Sequence, residues 1–327
     1  MRLEGANVLV TGGAGFIGSH LIDALLTRGA RRVIVVDTLW LGREENLETA
    51  RKASPDVVLL KEDVTDYFAL KAIADRERID VVFNLATCPL DYSFVHPRGA
   101  YMTSVDIAAN LAELLRGGGF GHLVHFSTSE VYGTAVETPM SEDHPTRPTT
   151  PYAAGKLAAD VLLRSYVELF QLPVLTIRPF NNYGPRQNDG SYAAVIPLTI
   201  RRILDGQRPV VHGTGEQTRD FTYVGDTARL TVALAEASVW GQTFNLACAR
   251  EVPVAEIIRT IASIMGYTGP IDHQPRRPGD HQRHLADTSR ARALVPFDPM
   301  TPFDRGLAVT VEWYTRRTPS AAARAHL

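Results

Sequence analysis

Tyr152 and Lys156 stand four residues apart at the head of an apolar-periodic run, 153–170, that reads as a helix. Side chains at that spacing share one helical face. A cation beside a phenol favours phenolate and lowers its pKa from about 10 toward neutrality. The pair therefore offers Tyr152 as a general base. Upstream, residues 122–126 read as a buried strand that ends at Ser127-Thr128-Ser129-Glu130. A hydroxyl at that strand end, Thr128, is suited to hold a substrate hydroxyl against the phenol, and Glu130 is a second base one step further on. Tyr-x-x-x-Lys alone is common in helices, so its meaning depends on the elements around it.

Those elements begin with residues 7–10, a short β-rich run, followed by Thr11-Gly12-Gly13-Ala14-Gly15-Phe16-Ile17-Gly18. Glycines at 12, 15 and 18 between a strand and an amphipathic helix (21–28) suit a dinucleotide. Gly12 permits the tight turn, Gly15 lets backbone approach a pyrophosphate, and Gly18 lets the helix pack on the sheet. The helix N-terminus then faces the phosphate charge. Residues 32–36 form the next strand and end in Asp37, 19 residues beyond Gly18, where a carboxylate takes the ribose hydroxyls of NAD. No basic residue follows before Arg43, which favours NAD over NADP. Further strands are read at 57–61, 80–85, 173–177 and 243–246, and helices at 67–76 and 98–116. Strands alternating with helices imply an α/β fold with a Rossmann-type, doubly wound parallel sheet. The strand ends Asp63-Val64 and Leu85-Ala86-Thr87 fall beside the cofactor in that plan.

Beyond Arg178 prolines and glycines become frequent, which marks a smaller C-terminal substrate-binding lobe. The expected division is residues 1–178 with about 220–246 for the NAD-binding domain. Residues 179–219 and 247–318 then form the second lobe, and 319–327 a frayed tail. Residues 254–265 read as a helix of that lobe, and Arg276-Arg277-Pro278-Gly279-Asp280 with Arg283 as a basic loop.

Hydrophobic residues make up 45% of the 327 and charged residues 21%, the balance of an ordinary globular chain. A formal net charge of −2 gives no footprint for nucleic acid or an acidic membrane surface. Cys88 and Cys248 have no metal-ligand spacing, so no metal is expected and a reducing compartment fits. Cys88 reads as a small buried residue, with no His placed to activate it. No signal peptide is read and no apolar run reaches about 18 residues, so the expected location is cytoplasmic.

Five ordered motifs resemble the extended short-chain dehydrogenase/reductases that remodel nucleotide sugars. They are the glycine segment 11–21, Ser127–Gly133, Pro151–Lys156, Arg178-Pro-Phe-Asn-Asn-Tyr-Gly-Pro-Arg-Gln187 and Gly213-Thr-Gly-Glu-Gln-Thr-Arg-Asp-Phe-Thr-Tyr-Val224. The resemblance runs from Val8 to about Tyr314. It implies Tyr152 as catalytic base, Lys156 as its partner and ribose ligand, Thr128 as the substrate-hydroxyl contact, and Asp63 and Val64 at adenine. It implies Asn181 and Arg219 at the diphosphate, assisted by Arg277 or Arg283, and Val195 at the nucleotide base. The implied ligand is a UDP-, dTDP- or GDP-sugar, and the implied assembly is a homodimer through helices 98–116 and 153–170.

In that family a hydride passes from sugar C4 to NAD, and the 4-keto intermediate then meets one of three fates. Epimerases return the hydride to C4. Dehydratases remove the C5 proton and expel the C6 hydroxyl. Decarboxylases lose carbon dioxide from a uronic acid. Glucose-type dehydratases resemble Thr-Asp-Glu where this chain has Thr128-Ser129-Glu130, and Ser129 is no strong acid. Thr-Ser-Glu is similar to GDP-mannose dehydratases, some N-acetylhexosamine dehydratases and UDP-glucuronate decarboxylases, so Glu130 favours lyase chemistry. Tyr92, in Thr87-Cys88-Pro89-Leu90-Asp91-Tyr92, is placed to reach the sugar, and Ser104 stands where many relatives carry an Asn that supports the lysine. Dehydration is the leading expectation, with decarboxylation and epimerisation as alternatives. A non-catalytic NAD-binding sensor is the reading of a different class, disfavoured because the Tyr–Lys pair is intact.

Overall fold

Near-continuous apolar runs along the short strands send greasy side chains to both faces of the sheet, and helices cover both. The structure is a computed structural model that describes residues 1–276 and 282–317. In the first half the chain runs β1 Asn7–Thr11, α1 Phe16–Thr27, β2 Arg32–Val36, α2 Glu48–Ala53, β3 Val57–Leu60 and α3 Tyr67–Arg76. It continues through β4 Ile79–Asn84, α4 Tyr92–Val95, α5 Pro97–Arg116, β5 Phe120–Phe126, α6 Pro151–Phe170 and β6 Val174–Pro179. Then follow β7 Asn181–Tyr183, α7 Val195–Leu204, β8 Val210–His212, β9 Thr218–Tyr223, α8 Val224–Glu236 and β10 Thr243–Leu246. The last elements are β11 Glu251–Pro253, α9 Val254–Ile264, β12 Asp272–Gln274, α10 Ser289–Arg292 and α11 Phe303–Arg317.

Seven strands make one parallel sheet in the order β10-β6-β5-β4-β1-β2-β3. The order reverses between β1 and β4, whose last residues, Thr11 and Asn84, are register partners. A crevice opens outside the strand ends at such a switch point. Val8 and Val10 face a core shared with α1 and α8, whereas Leu9 faces the core under α3, α5 and α6. The expected doubly wound sheet is the observed one.

Helix α1 starts at Phe16, five residues before the expected apolar run. Gly15 is its N-cap, with φ −76° and ψ −175°, so the exposed N–H groups of the first turn lie directly beyond the glycine turn. The smaller lobe is built on the sheet β11-β9-β7 and the pair β12–β8. Its core joins Tyr183, Ile196, Phe221, Ile257, Phe303 and Leu307. Strand β9 pairs with β7 and β11, and α8 then returns to pack on α1. Among the described residues no helix is long and apolar enough to cross a membrane, and no cluster of three or more His, Cys, Asp or Glu is placed to hold a metal. The tail 319–327 lies outside the described residues.

Candidate active site

A cavity of about 810 Å³ opens at the switch point. Its floor is held by the end of β1. Thr11 Oγ1 donates to Asn84 Oδ1 (2.7 Å) and accepts from the backbone N–H groups of Leu85 and Ala86 (3.2 Å each). Gly12 turns at φ +67°, and a Cβ there would stand 2.8 Å from Ala86 N. A Cβ on Gly18 would collide with the Gly12 carbonyl. Only glycine lets these segments close into a shallow cradle under the first turn of α1. Asp37 is pinned beside it, with Oδ2 accepting from Ala14 N (3.0 Å) and Oδ1 from Leu39 N (2.9 Å). Burial raises its pKa, and the two N–H groups pull it back.

The residues expected at the cofactor all line this cavity: Gly12, Gly15, Phe16, Ile17, Gly18, Asp37, Asp63, Val64, Leu85, Ala86, Thr87, Tyr152 and Lys156. Asp63 accepts from Thr65 N (2.9 Å), and Asn110 Nδ2 holds the Val64 carbonyl (3.0 Å). A glycine cradle, a helix N-terminus and an acidic residue at the end of β2 together fit a dinucleotide.

The Tyr152–Lys156 pair lies on α6. Pro151 occupies its first turn, and Thr150 Oγ1 caps Ala153 N (3.2 Å). The hydroxyls of Thr128 and Thr87 hydrogen-bond the Tyr152 phenol. Burial pushes that phenol up to about 12, the Glu130 charge adds to the rise, and the two hydroxyls hold it back. This corrects the expectation of a phenol lowered by its neighbour. Lys156 is instead turned to the Phe126 carbonyl, to which Nζ donates at 2.8 Å. Burial brings Lys156 itself down to about 8, against the opposing charge of Asp160.

Thr128 caps the 3-10 turn Ser129–Tyr132, accepting from Glu130 N at 3.2 Å, and itself lines the cavity. Ser129 and Glu130 sit behind it on that turn, buried and half-buried, rather than on the wall.

On the side toward the smaller lobe the pattern departs from expectation. Tyr92 lines the cavity, but Asn181 does not. Its neighbour Asn182 does, with Oδ1 accepting from Thr227 Oγ1 at 2.6 Å. Val195 opens α7 one residue past the wall residue Ala194 and packs into the lobe core. Arg219 is buried in β9, where Nη1 donates to Thr218 O (2.8 Å). Arg283 pairs with Glu251 (2.6 Å). Neither arginine lines this cavity. Arg277 lies outside the described residues.

Sequence reading missed Trp40, Arg186, Asn188 and Tyr192, all of which line the cavity. They lie in loops with no periodicity to mark them. The segment 185–192 lies against the large domain through Arg186–Asp23 (2.7 Å), Arg43–Asp189 (3.0 Å) and His20 Nε2 donating to Pro185 O (2.9 Å).

Comparison with known proteins agrees with this geometry. The family described as GDP-mannose 4,6 dehydratase matches residues 9–310. A UDP-glucose 4-epimerase of Mycolicibacterium smegmatis is 35% identical over 312 residues, covering 95% of this chain and 99% of that relative. A dTDP-glucose 4,6-dehydratase of Xanthomonas campestris pv. campestris is 32% identical over 332 residues, covering 94% and 93%. Among solved structures, the dTDP-glucose 4,6-dehydratase of Streptomyces venezuelae, with NAD bound, superposes with a TM-score of 0.88 at 30% identity, covering 95% of this chain and 97% of that one. A glycine cradle, a Tyr–Lys pair on one face of α6 and a family match along most of the chain converge: the protein belongs to the extended short-chain dehydrogenase/reductases, the NAD-dependent epimerases and dehydratases of nucleotide sugars.

Proposed function

We propose that this chain binds NAD and carries a nucleotide-diphosphate sugar through a 4-keto intermediate, with 4,6-dehydration as the outcome. The observation that carries the reading is the meeting of Thr128, Thr87 and the Glu130 charge at one half-buried phenol, Tyr152. NAD, when bound, supplies the hydride acceptor at C4 and later the hydride donor. The phenol takes the C4 hydroxyl proton, and Lys156 on the same face is the chain's own positive charge for the phenolate. Thr128 and Thr87 orient the phenol and the incoming hydroxyl.

The 4-ketone acidifies the C5 proton, and Glu130, which stands off the cavity wall but whose charge reaches the Tyr152 phenol, is the base assigned to remove it. Ser129 has an alcohol's acidity and cannot protonate a departing hydroxide. The carboxylic acid formed on Glu130 returns its proton to the C6 oxygen as the C6–O bond breaks, so water leaves. Hydride at C6 and a solvent proton at C5 complete the 4-keto-6-deoxy sugar, and Tyr152 releases its proton to solvent. Net redox change is zero, so NAD is not consumed.

Asp37, at the end of β2, favours NAD, because a carboxylate there repels a 2′-phosphate. Two free cysteines fit a cytoplasmic setting. Exposed Tyr101, Met102, Val161, Leu169 and Phe170 on α5 and α6 support a homodimer through those helices, which sedimentation tests. Epimerisation is the second reading, favoured by Ser129 in place of an acid and by the 35% identity to an epimerase.

Incubation with UDP-, dTDP- and GDP-sugars, with products read by mass, tests the proposal. Loss of water supports dehydration. Loss of carbon dioxide, or a new sugar of unchanged mass, replaces it with decarboxylation or epimerisation. No turnover, and no transient NADH absorbance with any sugar, leaves the NAD-binding sensor.

A further inference from the structure

Tyr152, Lys156 and Asp160 follow one another at four-residue intervals on α6, so a third ionisable side chain continues the face that carries the catalytic pair. Asp160 is 7% exposed and Lys156 3%. Asp160 Oδ2 accepts from Ser127 Oγ (2.9 Å) and from Arg178 Nε and Nη2 (3.1 and 2.9 Å). The guanidinium also donates to Tyr132 Oη (3.1 Å), which donates to Asn245 Oδ1 (2.7 Å). Asp160 Oδ1 has no hydrogen-bond partner and lies 3.7 Å from His125 Nε2, which has none either.

The histidine's orientation follows from the strand ends. Thr11 Oγ1 donates to Asn84 Oδ1, so the Asn84 amide N–H points at His125 Nδ1 (3.0 Å). Nδ1 is then the acceptor, and the ring proton sits on Nε2, facing Asp160. Polar side chains thus lead from the cofactor cradle through Asn84 to His125, whose Nε2 stands 3.7 Å from Asp160 Oδ1.

Lys156 itself donates to the Phe126 carbonyl, a neutral group. Ser104, on the neighbouring helix, donates to Ala100 O of its own helix (3.4 Å). Two buried cations, Lys156 and Arg178, therefore flank Asp160 in different ways: Arg178 bonds it directly, and Lys156 precedes it by one helical turn. Burying a charge without a counter-charge is costly, and an amine there escapes the cost by losing its proton.

We propose that Asp160 is a positioning residue that keeps Lys156 in its ammonium form at the reacting end. The inference rests on the reading of Lys156 as the partner of Tyr152. The charges around the lysine agree with it. Burial lowers Lys156, and Asp160 is the largest opposing influence. From β5, His125 is driven well below its ordinary value and is neutral. From the segment after β4, Cys88 is pushed up and stays a thiol. From β6, Arg178 is a second cation, and Tyr152 on α6 is a neutral phenol. Asp160 is raised by burial, with Arg178, Ser127 and Lys156 pulling it back toward the carboxylate. It also lines a second cavity of about 110 Å³ together with Leu157, Arg178 and Thr243, so its charge state can equilibrate with solvent.

The chain holds four lysines, and Lys52, Lys61 and Lys71 are exposed, so lysine side-chain NMR on the full protein resolves Lys156 against three internal references. With 13Cε-lysine, Asp160→Asn is expected to lower the Lys156 midpoint at least tenfold in proton affinity and leave the other three in place. Asp160→Glu, which restores the charge, is expected to bring the midpoint back toward the native one. An unmoved Lys156 in the folded Asn variant overturns the proposal. If that variant does not fold, Arg178→Gln removes a cation and leaves the carboxylate, so the midpoint must rise, and a fixed midpoint overturns the proposal equally. The alkaline limb of the pH–rate profile separates the two readings. If Lys156 moves and the limb does not follow, Asp160 keeps its effect on Lys156, and it is the catalytic pairing of Lys156 with Tyr152 that fails.

Discussion

Trp40 and Tyr92 meet edge to face with ring centroids 5.0 Å apart, although one follows β2 and the other follows β4. Tyr192, from the segment before α7, completes the cluster at 6.3 Å from Trp40 and 6.2 Å from Tyr92. Two loops and the start of α4 therefore share one aromatic contact on the cavity wall, beside the ion pairs that hold segment 185–192.

Trp40→Ala removes two of these ring contacts. Each aromatic pair contributes about 0.5–1.5 kcal/mol beyond its buried area. Release of bound dinucleotide, followed by stopped-flow exchange against a competitor, is expected to accelerate about tenfold. An unchanged rate would show that the cluster does not hold the cavity closed.

Tyr152→Phe keeps the ring and removes the proton acceptor. Turnover is expected to fall by about 10²–10⁴-fold, the usual contribution of a general base, while dinucleotide content stays the same. Steady-state rates together with the absorbance of the purified protein check both halves.

Glu130→Gln separates the two proton transfers. The variant is expected to oxidise C4, seen as reduced cofactor, yet to stop before water is lost. In heavy water it should no longer exchange the C5 hydrogen. Exchange at the native rate would assign that base to another group.

His20 predicts acid sensitivity. Its ring is half-buried, and burial together with the Arg186 charge lowers it to about 4. Between pH 6.5 and 4 the unfolded chain takes up a proton that the folded one refuses, so acidification favours unfolding. The loss amounts to about 3 kcal/mol at most by the lower end of that window. Thermal melts should fall across it, and His20→Gln, which still offers a donor to Pro185 O but does not titrate, should flatten the slope.

Parts of this site are legible in the sequence because their chemistry belongs to contiguous backbone. The glycine cradle and Asp37 are set by one strand–turn–helix segment, and 3.6-residue periodicity alone puts Tyr152 and Lys156 on one face. The substrate side is less legible. Asn181 and Asn182 are adjacent in β7, and strand alternation sends their side chains to opposite faces, so a one-residue difference in register decides which one meets the cavity. Trp40, Arg186 and Tyr192 come from loops that no periodicity marks.

By itself, the sequence determined the parallel sheet, the dinucleotide cradle, the family and the residue types able to move a proton, since each is carried by local patterns. Only the tertiary structure decided the electrostatic state of those residues. Tyr152 is raised rather than lowered, and Lys156 answers to Phe126 and Asp160, because desolvation depends on every segment that packs over a group. Those segments, β4, β5, β6 and the turn at 129–132, are distant in the chain and meet only when it folds.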